Sequence, residues 1–168
     1  MIDASPYRSP LPYPIPRELG RNIRFARILQ SLYSGPDSEL TAVHEYAYHR
    51  IFTTAEHPEP AGVLGGISMV EMHHLGLLGD CILRLGLHPT YSFYQGTRRA
   101  RWSPAFVRYG RTLKAIIDLS IKGEQTAIES YYAAAHRIPD REIGALLRRI
   151  IVDEELHIRA LTDLRKKL

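Results

Sequence analysis

Cysteine is nearly absent from this sequence, because its 168 residues include only one, Cys81. One cysteine cannot close an intramolecular disulfide, so a disulfide-stapled scaffold is excluded. A chain of this length buries enough surface to fold as one domain without such staples. We therefore interpret Cys81 as a small core residue of a protein that works in a reducing compartment.

Long apolar runs and leader-like patterns are also missing. No stretch approaches the roughly 18 to 20 uncharged apolar residues that cross a bilayer, and the N-terminus lacks the basic-then-apolar order of a signal peptide. We expect a cytoplasmic protein without a membrane partner. Acidic residues number 18 against 22 lysines and arginines, and the resulting charge of +4 raises the question of a nucleic-acid partner.

Strand signals are weak, because no segment combines sustained alternation of apolar and polar residues with hairpin turns. The sequence therefore predicts an all-α fold. Five prolines among the first twenty residues prevent a helix there. They predict an extended arm, residues 1–20, before a helical domain, residues 21–168.

Helical periodicity and capping residues divide the rest of the chain. A short helix is predicted over Glu18–Tyr33, and four longer ones follow. These are A, from a cap at Asp37 or Ser38 to Thr53; B, from about Pro60 to Leu87; C, from a cap at Ser103 and first residue Pro104 to Arg137; and D, from Asp140 almost to Leu168. The A–B and C–D links are short, whereas residues 88–102 can cross the length of a bundle. The predicted architecture is a four-helix bundle with one long crossover between the second and third helices.

Each long helix carries a glutamate within its apolar stripe. Helices B and D have a Glu-x-x-His motif between leucines and isoleucines, and helices A and C have a glutamate followed by a tyrosine seven residues later. The residues are Glu39 and Tyr46 on A, Glu71 and His74 on B, Glu124 and Tyr131 on C, and Glu154 and His157 on D. A single Glu-x-x-His arises easily by chance, but two in register are more specific.

Four converging carboxylates need compensation, because burying one alone costs several kcal/mol and neighbours repel each other. A pair of divalent cations would provide it. Residues three apart share a helix face, so each Glu-x-x-His pair can offer an oxygen and a nitrogen to one metal ion. This donor set suits Fe(II) or Mn(II) better than structural zinc, which takes four tetrahedral ligands. The alternative is that these side chains lie on exposed helix faces.

The residue pattern resembles the ferritin-like superfamily over about residues 37–168. The stretches Glu124–Ile128 and Ile151–Ile158 look most like bacterioferritins and rubrerythrins. Tyr13-Pro14-Ile15 and the stretch from Ser38 to Tyr46 are similar to manganese catalases and related spore-coat proteins. The resemblance implies a ferritin-like four-helix bundle that binds two metal ions.

The resemblance also implies a role for each residue of the pattern. Glu71 and Glu154 would bridge the two metal ions. Glu39 and Glu124 would be terminal ligands, and His74 and His157 would each bind one metal ion. Asp153 would orient His74 through its far nitrogen. Val70 stands at the equivalent place for His157, so the two metal positions should differ in affinity.

Three other side chains have roles that stay open. Tyr46 and Tyr131 would hydrogen-bond the site or carry a radical, with core packing alone as an equal alternative. Met72 occupies the place where bacterioferritins bind haem between two subunits, although a surface or interface methionine is the simpler interpretation. The other histidines are expected on the surface: His44, His49, His57, His73, His88 and His136.

By the resemblance, this chain is expected to be a dimetal oxidoreductase. Two Fe ions, or alternatively two Mn ions, would react with O₂ or H₂O₂ in ferroxidase, peroxidase or catalase chemistry. No Cys-x-x-Cys pair is present for a rubredoxin-type iron domain, so electrons would come from an external donor or from the substrate metal. We expect a homo-oligomer, a dimer or larger.

Two other functions stay open. The same fold could assemble into an iron-storage cage. A metal-free helical binding module could instead use the basic crossover, with Arg98, Arg99, Arg101 and the neighbouring Tyr91, Tyr94 and Trp102. No helix-turn-helix or similar motif accompanies them, so nucleic acid is not an expected partner. Enclosing four glutamates around metal would by itself leave a positive excess on the surface.

Overall fold

Within residues 2–168, the fold consists of five helices and one small hairpin. The computed structural model describes residues 2–168. The helices are α1 (Ile23–Ser34), α2 (Glu39–Thr53), α3 (Pro58–Arg84), α4 (Leu113–Arg137) and α5 (Arg141–Lys166), and the strands are β1 (Ser92–Gln95) and β2 (Arg98–Arg101). Single 3₁₀ turns occur at Ser5–Tyr7 and Pro104–Phe106. None of the helices within residues 2–168 has the length and apolar content to span a membrane.

Helices α2 to α5 form the predicted four-helix bundle. Helices α2 and α3 pack as one hairpin, α4 and α5 pack as another, and the segment between α3 and α4 is the long crossover. Helix α1 packs mainly on α3 and on β1. The prediction of a mainly helical bundle with one crossover is confirmed.

The bundle interior has two apolar clusters with a polar layer between them. One cluster gathers side chains from α1, α3 and α5 such as Leu29, Leu78 and Leu147, and the other includes Ile67 and Leu161. Along α3, the order is Ile67, then the Glu-x-x-His motif, then Leu78, so the motif lies between the clusters. Apolar packing on both sides therefore fixes the depth of the polar layer within the bundle.

Most helix starts follow from their caps, but two predicted starts are wrong. The short first helix begins at Ile23, capped by Asn22, and not at Glu18, and the third bundle helix begins later than predicted. Ser103 caps only the 3₁₀ turn that begins at Pro104, whereas Thr112 caps α4. Between these caps, the backbone N–H of Arg108 donates to Glu45 and that of Gly110 lies 3.3 Å from a ring nitrogen of His49. These contacts with α2 replace the bonds that a helix would need.

The expectation that the chain lacks hairpins is also wrong in one place. Strands β1 and β2 pair antiparallel inside the crossover, with Ser92 opposite Arg101 and Gln95 opposite Arg98. Gly96 supplies the turn with a φ of +62°, which glycine adopts without strain. Four-residue strands are too short to produce an alternation that stands out in the sequence.

The proline-rich arm lies against the bundle. Residues 2–20 contain one 3₁₀ turn and no other regular structure, and they contact α3 and α5. The Tyr7 ring covers Gly66 of α3, where any Cβ would collide with it, and Ile2 lies beside Gly65. The division into an arm, residues 1–20, and a domain, residues 21–168, stays a prediction.

Candidate metal centre

The structure brings the six predicted ligand residues together in the polar layer. Each bundle helix contributes at least one of them, and none is more than 4% exposed. They are Glu39, Glu71, His74, Glu124, Glu154 and His157. The alternative that these side chains lie on solvated helix faces is therefore wrong.

The six residues form two groups that share their bridging members. Glu39 and His74 complete one group and Glu124 and His157 the other, while Glu71 and Glu154 belong to both. In each group, the candidate donor atoms all lie within 4.8 Å of one another. This arrangement could hold two cations side by side, with two carboxylates between them.

Distances around the imidazoles show how tightly the donors converge. The Nδ1 atom of His157 lies 2.9 Å from Glu154 and 3.0 Å from Glu71. The Nδ1 atom of His74 lies 3.2 Å from Glu154 and 3.4 Å from Glu71. Both histidines therefore present the same ring nitrogen to the shared carboxylates.

Several buried atoms of the cluster make no contact with hydrogen-bond geometry among the described residues, although some of them lie within 3.0 Å of one another. They are Glu39 Oε2, Glu71 Oε1, both carboxylate oxygens of Glu154, and both ring nitrogens of His157. Buried polar atoms in proteins are nearly always hydrogen-bonded, so a concentration of unpaired donors and acceptors demands an explanation. Carboxylate oxygens and imidazole nitrogens are the donors that Fe(II) and Mn(II) accept, so the residues present fit such ions.

Electrostatics show the same need for positive charge. Burial, reinforced by repulsion from Glu71 and Glu154, raises the pKa of Glu124 to about 8 and that of Glu39 well above its ordinary value. Burial alone would lower the pKa of His157, but the surrounding carboxylates, with Glu71 foremost, raise it well above its ordinary value. Without cations the cluster retains protons, which divalent ions would displace.

Each of the two buried tyrosines bonds a glutamate on the facing helix. Tyr46 of α2 donates its hydroxyl to Glu124 of α4, and Tyr131 of α4 donates its hydroxyl to Glu39 of α2. Each tyrosine thus bonds the glutamate of the facing helix, not the one seven residues before it. This contact supports the alternative in which the tyrosines hydrogen-bond the site.

The Nε2 atoms of His74 and His157 differ in their hydrogen-bond partners. His74 Nε2 lies 3.2 Å from Asp153 Oδ2, the contact implied by the resemblance. His157 Nε2 is buried and has no hydrogen-bond partner among the described residues. Burial alone would raise the pKa of Asp153, but hydrogen bonds from His74, Tyr13 and the Ser9 N–H lower it to about 2, so this carboxylate stays charged.

A cleft connects the cluster with the surface between α2 and α4. Its cavity volume is about 40 Å³, and Glu39, Glu71 and Glu124 line its inner end. Asp37 and Arg108 line its outer end, and both are partly exposed. A molecule of the size of O₂ or H₂O₂ could reach the cluster by this route.

Two buried residues near this cleft, Glu45 and His49, were not predicted as part of the site. Glu45 is 5% exposed and accepts three hydrogen bonds from Arg108, at 2.7 to 3.1 Å. His49, expected on the surface, is fully buried with Nε2 2.9 Å from the carbonyl oxygen of Arg108, and burial lowers its pKa. Their spacing of four on α2 could have indicated a second inward stripe.

Comparison with known proteins identifies the fold. Neither the family models nor the sequences of curated proteins give a match to this chain. Among solved structures, it is similar to KatB, a manganese catalase from Anabaena PCC7120, with a TM-score of 0.80 and 20% identity over 92% of this chain and 77% of KatB. The chain has the ferritin-like fold.

Two bacterioferritins share this ferritin-like fold at a greater distance. That of Desulfovibrio desulfuricans, described with a diiron site, has a TM-score of 0.70 and 21% identity over 89% of this chain and 84% of its own. That of Rhodobacter capsulatus, described with a metal-free dinuclear site and haem iron, has a TM-score of 0.70 and 21% identity over 88% of this chain and 87% of its own. At these identities, the similarity establishes the fold, and the chemistry rests on the residues.

The other predicted residues lie at the surface of the ferritin-like bundle. Met72 is 50% exposed on α3, outside the cluster. In the crossover, Arg99 bonds the hydroxyls of Thr90 and Ser92 and Trp102 bonds Thr41. Tyr94 lies under the guanidinium of Arg27, whereas Arg98, Arg101 and Tyr91 remain exposed. Half of this basic and aromatic group is therefore engaged within the chain.

Proposed function

We propose that this chain is a dimetal-carboxylate oxidoreductase that binds two Fe or Mn ions and acts on O₂ or H₂O₂. One observation carries the proposal: two buried groups of four donors share Glu71 and Glu154. A single metal site would not need shared carboxylates, and a hydrophobic bundle would not place unpaired carboxylates at its centre. The sharing of two glutamates is the arrangement that two adjacent cations require.

The ligand roles follow from this grouping. Glu71 and Glu154 would bridge, while Glu39 with His74 and Glu124 with His157 would complete one position each. When bound, the two ions would supply the redox chemistry, for which the ligand side chains themselves have no capacity.

The protein's own contribution is a dry and prearranged site. The ligands are buried between two apolar clusters, and the cleft between α2 and α4 leads to them from the surface. Tyr46 and Tyr131 hold the terminal carboxylates, and Asp153 holds His74. Fixed ligand orientation favours one coordination geometry and lowers the cost of changing the charge on the metal.

Manganese with H₂O₂ is the first combination to examine. The solved structure with a TM-score of 0.80 is a manganese catalase, whereas the bacterioferritins reach 0.70. Iron with O₂ is the second combination, because the same ligands accept both metals. Haem at Met72 is not part of the proposal, because a half-exposed side chain on α3 is the arrangement expected of any surface or interface methionine.

Metal analysis of purified protein tests the proposal directly. Protein grown with manganese and iron should contain about two metal ions per chain, and Glu71→Ala should remove most of this metal because both positions lose a ligand. Glu155→Ala, at an exposed position beside Glu154, is the matched control and should leave the content unchanged. Less than about one ion per chain in the wild type, or equal content in the two variants, would sink the proposal.

Activity assays and size measurement separate the reactions. Manganese-loaded protein should decompose H₂O₂, and iron-loaded protein should oxidise added Fe(II) in the presence of O₂. Light scattering distinguishes an oxidoreductase of a few subunits from a storage cage, which would run as a particle of many subunits. An external electron donor would be required only if peroxide is reduced without being dismutated.

A further inference from the structure

The arm contacts Asp153, an acidic residue that lies beside the candidate ligand His74. Asp153 is fully buried on α5. The backbone N–H of Ser9 donates to its Oδ1 atom at 2.7 Å, and the Tyr13 hydroxyl donates to its Oδ2 atom at 2.5 Å. Two residues of the proline-rich arm thus complete the surroundings of a carboxylate next to the cluster.

Arg149 joins the arm and Asp153 a second time. One guanidinium nitrogen lies 2.8 Å from Asp153 Oδ1. Other nitrogens donate to the carbonyl oxygens of Leu11 at 2.9 Å and Ser9 at 2.8 Å, and the guanidinium stacks 4.2 Å from the centroid of the Tyr13 ring. Arg149 is only 6% exposed, so these contacts are shielded from water.

The seat for the arm is built into α3. Tyr7 packs on Gly66, and a Cβ at Gly66 would also stand 2.8 Å from the backbone oxygen of Asp3. Close approach of the arm backbone to a helix requires a residue without a side chain. The arm is therefore seated on α3 and tied to α5, on the side of the bundle away from the α2–α4 cleft.

This support reaches only one of the two candidate metal positions. Asp153 Oδ2, which accepts from Tyr13, also lies 3.2 Å from His74 Nε2. The equivalent nitrogen of His157 has no partner within residues 2–168. A buried hydrogen bond to the far nitrogen fixes the ring and raises its basicity as a ligand.

We propose that the arm is a component of the metal centre. Tyr13 is a positioning residue: it holds Asp153, and Asp153 in turn orients His74. As a result, the metal position formed with Glu39 and His74 is the tighter of the two. The inference rests on the proposed two-metal function and adds an order of affinity to it. The arm sets that order by holding Asp153 in the orientation that His74 needs.

Titration of the metal-free, full-length protein with Mn(II) tests this inference, with free Mn(II) read from its electron paramagnetic resonance signal. The wild type should show two classes of site. Tyr13→Phe removes one hydroxyl and should weaken the tighter class by about tenfold, with Asp153→Asn weakening it by about 10- to 100-fold. Tyr7→Phe is the matched control, because it alters the same arm at a ring that does not contact Asp153.

The outcomes separate the inference from the function on which it rests. Weakening of the tighter class alone in Tyr13→Phe, with Tyr7→Phe equal to wild type, supports the role of the arm. Two classes that are unchanged in Tyr13→Phe, or weakened equally in it and in Tyr7→Phe, overturn the inference and leave the two-metal function standing. A wild type that binds fewer than two Mn(II) ions overturns both.

Discussion

Single residues decide how the buried carboxylates are held. The hydroxyl of Tyr131 bonds Glu39 and that of Tyr46 bonds Glu124, so each bond joins α2 to α4 across the cleft. The heptad spacing of each tyrosine from its own glutamate predicts that both face the interior. It cannot show which glutamate the hydroxyl meets, since that depends on how the two helices are placed relative to each other.

Removing one hydroxyl should weaken this cross-link measurably. We expect Tyr131→Phe to lower the free energy of unfolding of the metal-free protein by about 1 kcal/mol, because a buried carboxylate loses a hydrogen bond. Tyr132→Phe is the matched control at the next position, which is 54% exposed. Urea denaturation measures both, and equal stability of the two variants would contradict the structural role of the bond.

At the scale of elements, the arm and α3 are matched to each other. Gly65 and Gly66 of α3 leave room for the arm. Glycine inside a helix ordinarily lowers the stability of the protein by about 1 kcal/mol relative to alanine. Gly76 lies in the same helix with open space around its Cα. Alanine at Gly76 therefore changes helix propensity alone, whereas alanine at Gly66 also disturbs the packing of the arm.

Opposite effects are expected from the same substitution at these two glycines. Gly76→Ala should raise the free energy of unfolding by about 0.5 to 1 kcal/mol, because only helix propensity changes. Gly66→Ala should lower it by about 1 to 2 kcal/mol, since the new Cβ must displace Tyr7 and the Asp3 backbone. Chemical denaturation measures both, and stabilisation by Gly66→Ala would contradict the packing of the arm on α3.

The sequence predicted most elements, because bundle helices carry their own periodicity and caps. Ser38, one of the two predicted caps, caps α2, and Asp140, the predicted start of the last helix, caps α5; each accepts a hydrogen bond from the first turn of its helix. The start of α4, the β hairpin and the seat of the arm were not predicted. The start of α4 and the seat of the arm depend on contacts between distant segments, such as Arg108 with Glu45 and Tyr13 with Asp153, which leave no local pattern. The hairpin is local, but its four-residue strands are too short for an alternation to stand out.

At the scale of the whole molecule, the cluster has one closed side and one open side. The arm, tied to Asp153 and Arg149, lies outside α3 and α5, while the cleft opens between α2 and α4. The net charge of +4 includes the four buried glutamates of the cluster. Two divalent cations would cancel the charge of these glutamates, so the positive excess at the surface would be larger than the composition indicates.

The central claim is that two metal ions occupy the shared cluster. Anomalous-scattering maps of crystals grown from metal-supplied protein, collected at the manganese and iron edges, test it most directly. We expect two peaks about 3.5 to 4 Å apart, the usual spacing of paired catalytic metals. One should lie within Glu39, Glu71, His74 and Glu154, and the other within Glu71, Glu124, Glu154 and His157. The absence of an anomalous peak at both groups, with only water between the four glutamates, would contradict the account.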